Sequence, residues 1–252
     1  MKKALLILFI LILSLVLAAH YNNSPGVIIS RVFKDNPAYS GVLKYRVYFL
    51  GFIPMGEAKL SPPEIEEYQG QKVYHLHGVA DSFAIYSKFY RAHAEIDSYL
   101  DLKKLNPVLF KQRLVVSGKT DIYKEALYDQ DNGIMTMSGV KRQIFPDTQD
   151  PLSSIFHIRH MDFKHIRDFE IGINSNQKNY IMKCSASLNS LIINKIRRDT
   201  VLLQALISRR DKNPYHKSSM KMVLLEGQEN IPVLVKVFAS GILIYARLVD
   251  IK

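Results

Sequence analysis

Tryptophan is absent from this 252-residue chain, and cysteine occurs once, at Cys184. A lone cysteine excludes an intramolecular disulfide, so the fold must be held by its core. Hydrophobic residues at 48%, with 14 Tyr and 12 Phe, supply one. Cys184 itself reads as a buried small hydrophobe in preference to an interchain link or a reactive thiol. Also missing are a phosphate-cradling Gly-rich loop, a dinucleotide fingerprint, a Gly-x-Ser-x-Gly elbow and a His-Glu-x-x-His pair. The paired carboxylates of a glycosidase are not identifiable either, because Glu64, Glu66 and Glu67 fall in an expected loop and Asp97 and Asp101 at a strand end. The sequence therefore implies no cofactor and names no reaction. Beyond residue 17 no apolar run is long enough to cross a bilayer: the stretch 231–246 is broken by Pro232, Lys236, Ser240 and Gly241 and reads as buried strands.

What is present begins at the first residue. Lys2 and Lys3 precede an apolar run over 4–17 interrupted only by Ser14, and the small residues Ala18 and Ala19 stand before His20. That order is a secretory signal peptide, with Val16 and Ala18 placed for a cut before Ala19. An uncleaved N-terminal anchor is the alternative. The expected organisation is a signal peptide over 1–18, a linker and first strand region over 19–40, and one β-rich domain over 41–252. Export makes the periplasm the expected location.

Net charge is +11, concentrated late in the chain. Between Lys183 and Lys221 nine basic residues face only Asp199 and Asp211, which points to an anionic partner. Export argues against nucleic acid. An anionic lipid surface or an acidic envelope protein remains, beside a merely solvated basic face, and Arg197, Arg198, Arg209 and Arg210 are the expected contact residues.

Alternation of Leu43, Tyr45, Val47 and Phe49 with Lys44, Arg46 and Tyr48 marks a half-buried strand. Further strands are expected over 57–60, 72–80, 89–99, 108–117, 121–129, 134–137, 141–145, 168–173, 179–185, 220–225, 231–239 and 242–249, most bounded by Gly, Pro, Asn or Asp. Such spacing predicts a mainly β fold: a strongly curved antiparallel sheet or open β-barrel. One helix is expected over 151–160, capped by Asp150 with Pro151 in its first turn and Leu152, Ile155, Phe156 and Arg159 at helical spacing. The stretch 188–210 reads as two strands turning at Asp199-Thr200 or as an amphipathic helix, and the β-branched residues around Ile192, Ile193 and Ile196 favour strands.

Three blocks together resemble a family of bacterial exported proteins, domain-of-unknown-function family 3108. They are Leu43-Lys44-Tyr45-Arg46-Val47 running into Leu50-Gly51 and Gly56-Glu57-Ala58; Gln149-Asp150-Pro151-Leu152-Ser153 followed by Arg159; and Ile231-Pro232-Val233 with Ser240-Gly241-Ile242 and Leu248. The turn before Pro232 reads Gly227-Gln228-Glu229-Asn230, a departure from the Asp-rich turn expected there. The resemblance implies a mostly β periplasmic protein without an established function, whose proposed associations are with cell-envelope lipid or polysaccharide processes.

Histidines offer the best metal candidates. His75 and His77 share one face of their strand, and Arg91, His93, Glu95 and Asp97 share a face of the next. A hairpin between the two strands would bring His75 near His93 and Glu95, a nitrogen and oxygen set that zinc accepts. Every one of these residues also suits a solvent-facing strand. His157 and His160, with Asp162 and His165 beyond, read as structural or exposed, and Ser153 as a helix-start residue. Asp150 and Arg159 are expected in structural polar roles, Arg159 reaching a carboxylate or carbonyl inside the sheet. The leading functional expectation is a noncatalytic envelope protein that binds an apolar or amphipathic, lipid-like ligand or an envelope partner. A metal-dependent hydrolase using His75, His77, His93 and Glu95 is the alternative from another class, and a protein-only adaptor is the third.

Overall fold

The structure, a computed structural model, describes residues 41–86, 91–193, 196–210, 218–227 and 229–252. The expected signal peptide and linker lie outside the described residues. Period-two patterning becomes β1 (Leu43–Phe49), β2 (Ile53–Leu60), β3 (Glu64–Tyr68), β4 (Gln71–Ser82), β5 (Ala92–Asp101), β6 (Pro107–Val116), β7 (Ile122–Asp129), β8 (Ile134–Met137) and β9 (Val140–Gln143). After α1 (Pro151–Arg159) come β10 (Asp168–Ser175), β11 (Lys178–Ile193), β12 (Ile196–Arg209), β13 (Ser218–Leu225), β14 (Ile231–Ala239) and β15 (Ile242–Ile251). Among the described residues the fold is thus mainly β, one large antiparallel sheet with one short α-helix.

Tight turns make the meander. Ser138-Gly139 joins β8 to β9 and Ser240-Gly241 joins β14 to β15, each with both residues at positive φ. That conformation matches the twist of the flanking strands, and glycine at the second position adopts it without strain. Sequence neighbours pair along the order β10-β11-β12-β13-β14-β15-β1-β2-β4-β5-β6-β7-β8-β9, and β3 pairs with β4 alone. The chain's two halves meet where β15 pairs with β1, closed by hydrogen bonds between Val42 and Lys252. Leu43, Tyr45, Ile231, Val233, Leu248 and Ile251 form the core behind that seam.

The edges at β9 and β10 are also stitched together. Gln149, just before α1, donates its N–H to Gly172 of β10 and accepts from Asn174, both at 2.8 Å, while Asn179 of β11 donates to the Gln143 carbonyl at 2.7 Å. The sheet therefore curls round on itself, and the segment between β9 and α1 covers backbone groups that open edges would leave unpaired.

α1 fills the interior of this curl. Pro151 suits a first turn whose N–H groups lack helical partners, and a helix this short would not persist alone in water. Packing supplies the difference: Leu152 and Phe156 meet Leu76 and Leu100 of β4 and β5, while Ile158 joins Phe163, Ile171, Met182, Leu203 and Met222 on the other side. A helix buried on nearly every side belongs inside a core.

Two local expectations are corrected. Glu64, Glu66 and Glu67 lie in or at the start of β3 instead of a loop, because pairing with β4 through the Gln69-Gly70 turn overrides the low strand preference of glutamate. Asp199 and Thr200 do not turn the chain; they sit within β12 opposite Ser190 and Asn189, so β11 and β12 run past them as one long antiparallel pair. Ile158 is fully buried where the helix meets the β10–β13 core. We expect Ile158→Ala to cost about 2–5 kcal/mol from lost burial and the cavity left behind, measured by urea denaturation; a change within error would mean that α1 does not carry the packing described.

Candidate functional site

The signature residues around α1 form a buried polar anchor. Asp150 Oδ1 accepts from the Leu152 and Ser153 backbone N–H groups at 2.8 and 2.9 Å, and the Asp150 N–H donates to Ser153 Oγ at 2.8 Å, a complete capping box. Ser98 of β5 donates to Asp150 Oδ2 at 2.5 Å. Burial pushes the Asp150 carboxyl above the usual aspartate range, against the pull of these hydrogen bonds. Ser153 Oγ is engaged with the Asp150 backbone, the geometry of a helix start. At the other end of α1, buried Arg159 pairs with Glu229 of the turn between β13 and β14. Asn230 Nδ2 donates to the Arg159 and Met161 carbonyls at 3.0 and 2.8 Å. Arg159, expected to reach a carboxylate or a carbonyl, is paired here with the Glu229 carboxylate.

Asp150 gives a prediction with a definite sign. A carboxyl whose folded pKa is raised holds its proton more tightly in the folded state, so its contribution is greatest below the ordinary aspartate value and is lost as pH rises through the folded value. Asp150→Asn should therefore gain stability relative to wild type between pH 4 and pH 7, while Asp150→Ala, which removes the cap as well, should be about 1–2 kcal/mol less stable than Asp150→Asn at both. Melting curves test this; a constant difference between Asn and wild type across that range contradicts it.

A second polar site lies on β3, β4 and β5. The β4–β5 register sets His77 opposite Asp97 and His75 opposite Tyr99. His75 Nε2 and His77 Nδ1 both lie 2.8 Å from Asp97 Oδ1, and His75 Nδ1 lies 2.7 Å from Glu66 Oε1 on β3. Tyr99 stacks flat on the His75 ring at 4.4 Å between centroids. Donation from both nitrogens of His75 is the pattern of an imidazolium. The Asp97 hydrogen bond in particular, with Glu66 adding to it, raises the His75 pKa against the opposing effect of partial burial. Asp97 is partly buried, which works to raise its pKa, yet the hydrogen bonds from His75 and His77 hold it below the usual range.

His93 and Glu95 are not in this cluster. His93 pairs with Asp81 at 2.8 Å, and Glu95 lies opposite Val79. With His75 opposite Tyr99, His93 is six residues further along β5, about 20 Å at the rise of a strand. The four-residue set expected from the sequence is thus corrected by register: His75 and His77 are joined by Asp97 and Glu66 instead. On α1 burial lowers the pKa of His157; just past its end His160 donates to the Phe156 carbonyl at 2.8 Å, and further on exposed His165 pairs with Asp162.

A groove with a volume of about 740 Å³ crosses β10 to β13, lined among others by Glu170, Lys183, Gln204, Leu206, Ser219 and Lys221. Cys184, Ala205 and Met220 are buried beneath, so the residues alternating with them point outward. Along this outer face the register forms one row of Leu206, Ser219, Phe238 and Leu243 and a second of Gln204, Lys221, Lys236 and Tyr245. Leu206 and Phe238 are 58% and 45% exposed, and the neighbouring row carries Lys221 and Lys236. Burial pushes the Cys184 thiol up to about 12, which fits a small core residue.

The four arginines expected to act together divide into two pairs. Arg197 and Arg198 lie at one end of β12, with Arg197 bonded to Ser190 at 3.0 Å, and Arg209 and Arg210 lie about 40 Å away at the other end of the strand and just beyond it. Arg210 stacks on Phe145 at 4.2 Å. Lys195, Lys212 and Lys217 of the basic stretch lie outside the described residues.

A curled antiparallel sheet around one helix places the chain among β-barrel-like proteins. Its fold is similar to the crystal structure of a beta-barrel-like protein of domain of unknown function DUF1849 from Brucella abortus, at 9% identity and a TM-score of 0.55, over 85% of this chain and 99% of that one. The chain belongs to the family described as protein of unknown function (DUF3108), which matches residues 44–240. No curated protein matches.

Proposed function

We propose that this chain is a noncatalytic binding protein of the bacterial cell envelope, exported through residues 1–18, that holds an amphipathic, lipid-like ligand with an anionic head on the outer face of β10–β14. The observation that carries this reading is the groove of about 740 Å³ on β10–β13, lined by Leu206 and Lys221, whose rows strand register continues through Phe238 and Lys236 of β14 to Leu243 of β15. Because α1 and its neighbours pack the interior, the ligand lies outside the curl and not within it. Leu206, Phe238 and Leu243 meet its chain, and Lys221 and Lys236 meet its head.

Magnitudes divide the labour between the two rows. Each methylene withdrawn from water contributes about 0.8 kcal/mol, while each lysine near an anionic headgroup contributes on the order of 1 kcal/mol and is screened by salt. The chain therefore sets affinity, and the lysines set orientation and ionic-strength dependence. Lys183 is held by Glu170 at 2.8 Å and adds less. Membrane-surface association follows the same charge logic, in a form narrower than a single contact through Arg197, Arg198, Arg209 and Arg210.

Purified mature chain should carry lipid identifiable by mass spectrometry and should bind a fluorescent fatty acid. We expect Leu206→Asp with Phe238→Asp to weaken that binding at least tenfold, and Lys221→Gln with Lys236→Gln to weaken it a few-fold and remove its salt dependence. Wild-type protein that carries no lipid and ignores the probe would overturn the reading. Recovery of one stoichiometric envelope protein in place of lipid would favour a protein-only adaptor.

A further inference from the structure

We propose that His75, His77 and Asp97 form a binding site for a zinc-class divalent cation, with Glu66 positioning His75 from behind. The ligating atoms of the three residues lie within 4.8 Å of one another. They come from adjacent, directly paired strands, so the backbone fixes their spacing. Two imidazole nitrogens and a carboxylate oxygen are a donor set suited to zinc and its first-row neighbours, and poorly suited to magnesium or calcium, which prefer oxygen alone.

The present geometry is close to what an ion requires. Both imidazoles converge on one oxygen, Asp97 Oδ1, at 2.8 Å. Around a tetrahedral ion with bonds of about 2.0–2.1 Å, neighbouring ligand atoms stand about 3.3 Å apart. The two nitrogen–oxygen distances need open by only about half an ångström to admit it, and the third pair of ligand atoms already lies within 4.8 Å. The ion then occupies the space between Nε2 of His75, Nδ1 of His77 and the carboxylate, replacing the hydrogen-bonding protons. Three protein ligands leave the fourth position to water.

Two further contacts are those that metal-binding histidines use. Glu66 accepts from His75 Nδ1 at 2.7 Å, which fixes the ring so that Nε2 faces inward and increases its basicity. Tyr99 lies flat on the same ring and blocks its rotation. Two carboxylates beside two histidines also give the pocket a negative balance when both rings are neutral, in a chain whose overall charge is positive. The side chains of His75, His77 and Asp97 are 18%, 31% and 21% exposed, so solvent reaches the site while the ligands remain largely ordered by their neighbours.

Untagged mature protein, stripped with a chelator and titrated with zinc by calorimetry, should bind one ion per chain. Loading with cobalt should give visible absorption of a tetrahedral or five-coordinate ion. His77→Asn and Asp97→Asn should each weaken zinc binding at least 100-fold, and Glu66→Gln should weaken it 10- to 100-fold without changing the stoichiometry. His93→Asn and Glu95→Gln should bind as wild type does. Circular dichroism on each variant separates loss of the site from loss of the fold, and His77→Asn, which preserves a polar group at a part-exposed position, is the variant on which the proposal stands if Asp97→Asn unfolds. No zinc uptake by wild type, retained affinity in folded His77→Asn, or an equal loss in His93→Asn would overturn it.

Discussion

A carboxylate buried away from water must be surrounded by donors, and Asp150 meets that demand in only one arrangement. Two backbone N–H groups of the first turn of α1 and the Ser98 hydroxyl of β5 converge on it. Uncompensated burial of such a group costs several kcal/mol, so the helix start cannot drift from β5 without exposing or orphaning the charge. Arg159 with Glu229, and Asn230 with the carbonyls of Arg159 and Met161, bind the other end to the β13–β14 turn. α1 is therefore a strut between the two halves of a single curled sheet. The same segment stitches β9 to β10, so fixing the helix also closes the curl.

Filling the inside moves function outward. The apolar groove lies on the outer face of β10–β13, and the histidine–carboxylate cluster on β3–β5. Both depend on strand register, since alternate residues reach opposite faces and only pairing decides which side chains become neighbours. Neither surface needs α1 to move. The buried strut gives each a rigid base, and rigidity is what holds Glu66, His75 and Asp97 at hydrogen-bond distance across three strands.

Local chemistry was legible in the sequence; long-range pairing was not. Asp150-Pro151 announces the helix start because capping is decided within four residues, and alternation from Leu43 to Phe49 announces β1 because a strand's two faces differ. β3 carries no local signal because its glutamates disfavour a strand until β4 is beside it. Asp199-Thr200 has the composition of a turn, yet pairing with Asn189 and Ser190 carries the hairpin past it. Alternation alone puts His75 and His77 on one face, while their partners depend on register: nothing local states that His75 faces Tyr99 and not His93. Glu229 stands 70 residues from Arg159, and only the folded sheet brings them together.

Amide hydrogen exchange on the mature chain tests the strut most directly. If α1 fastens the curl, the amides of Ser154 and Ile158 exchange only through global unfolding, with the same free energy as Leu100 in β5 and Met222 in β13. Early exchange of α1 while those strands stay protected would show a helix that merely rests in the sheet, and would contradict the account.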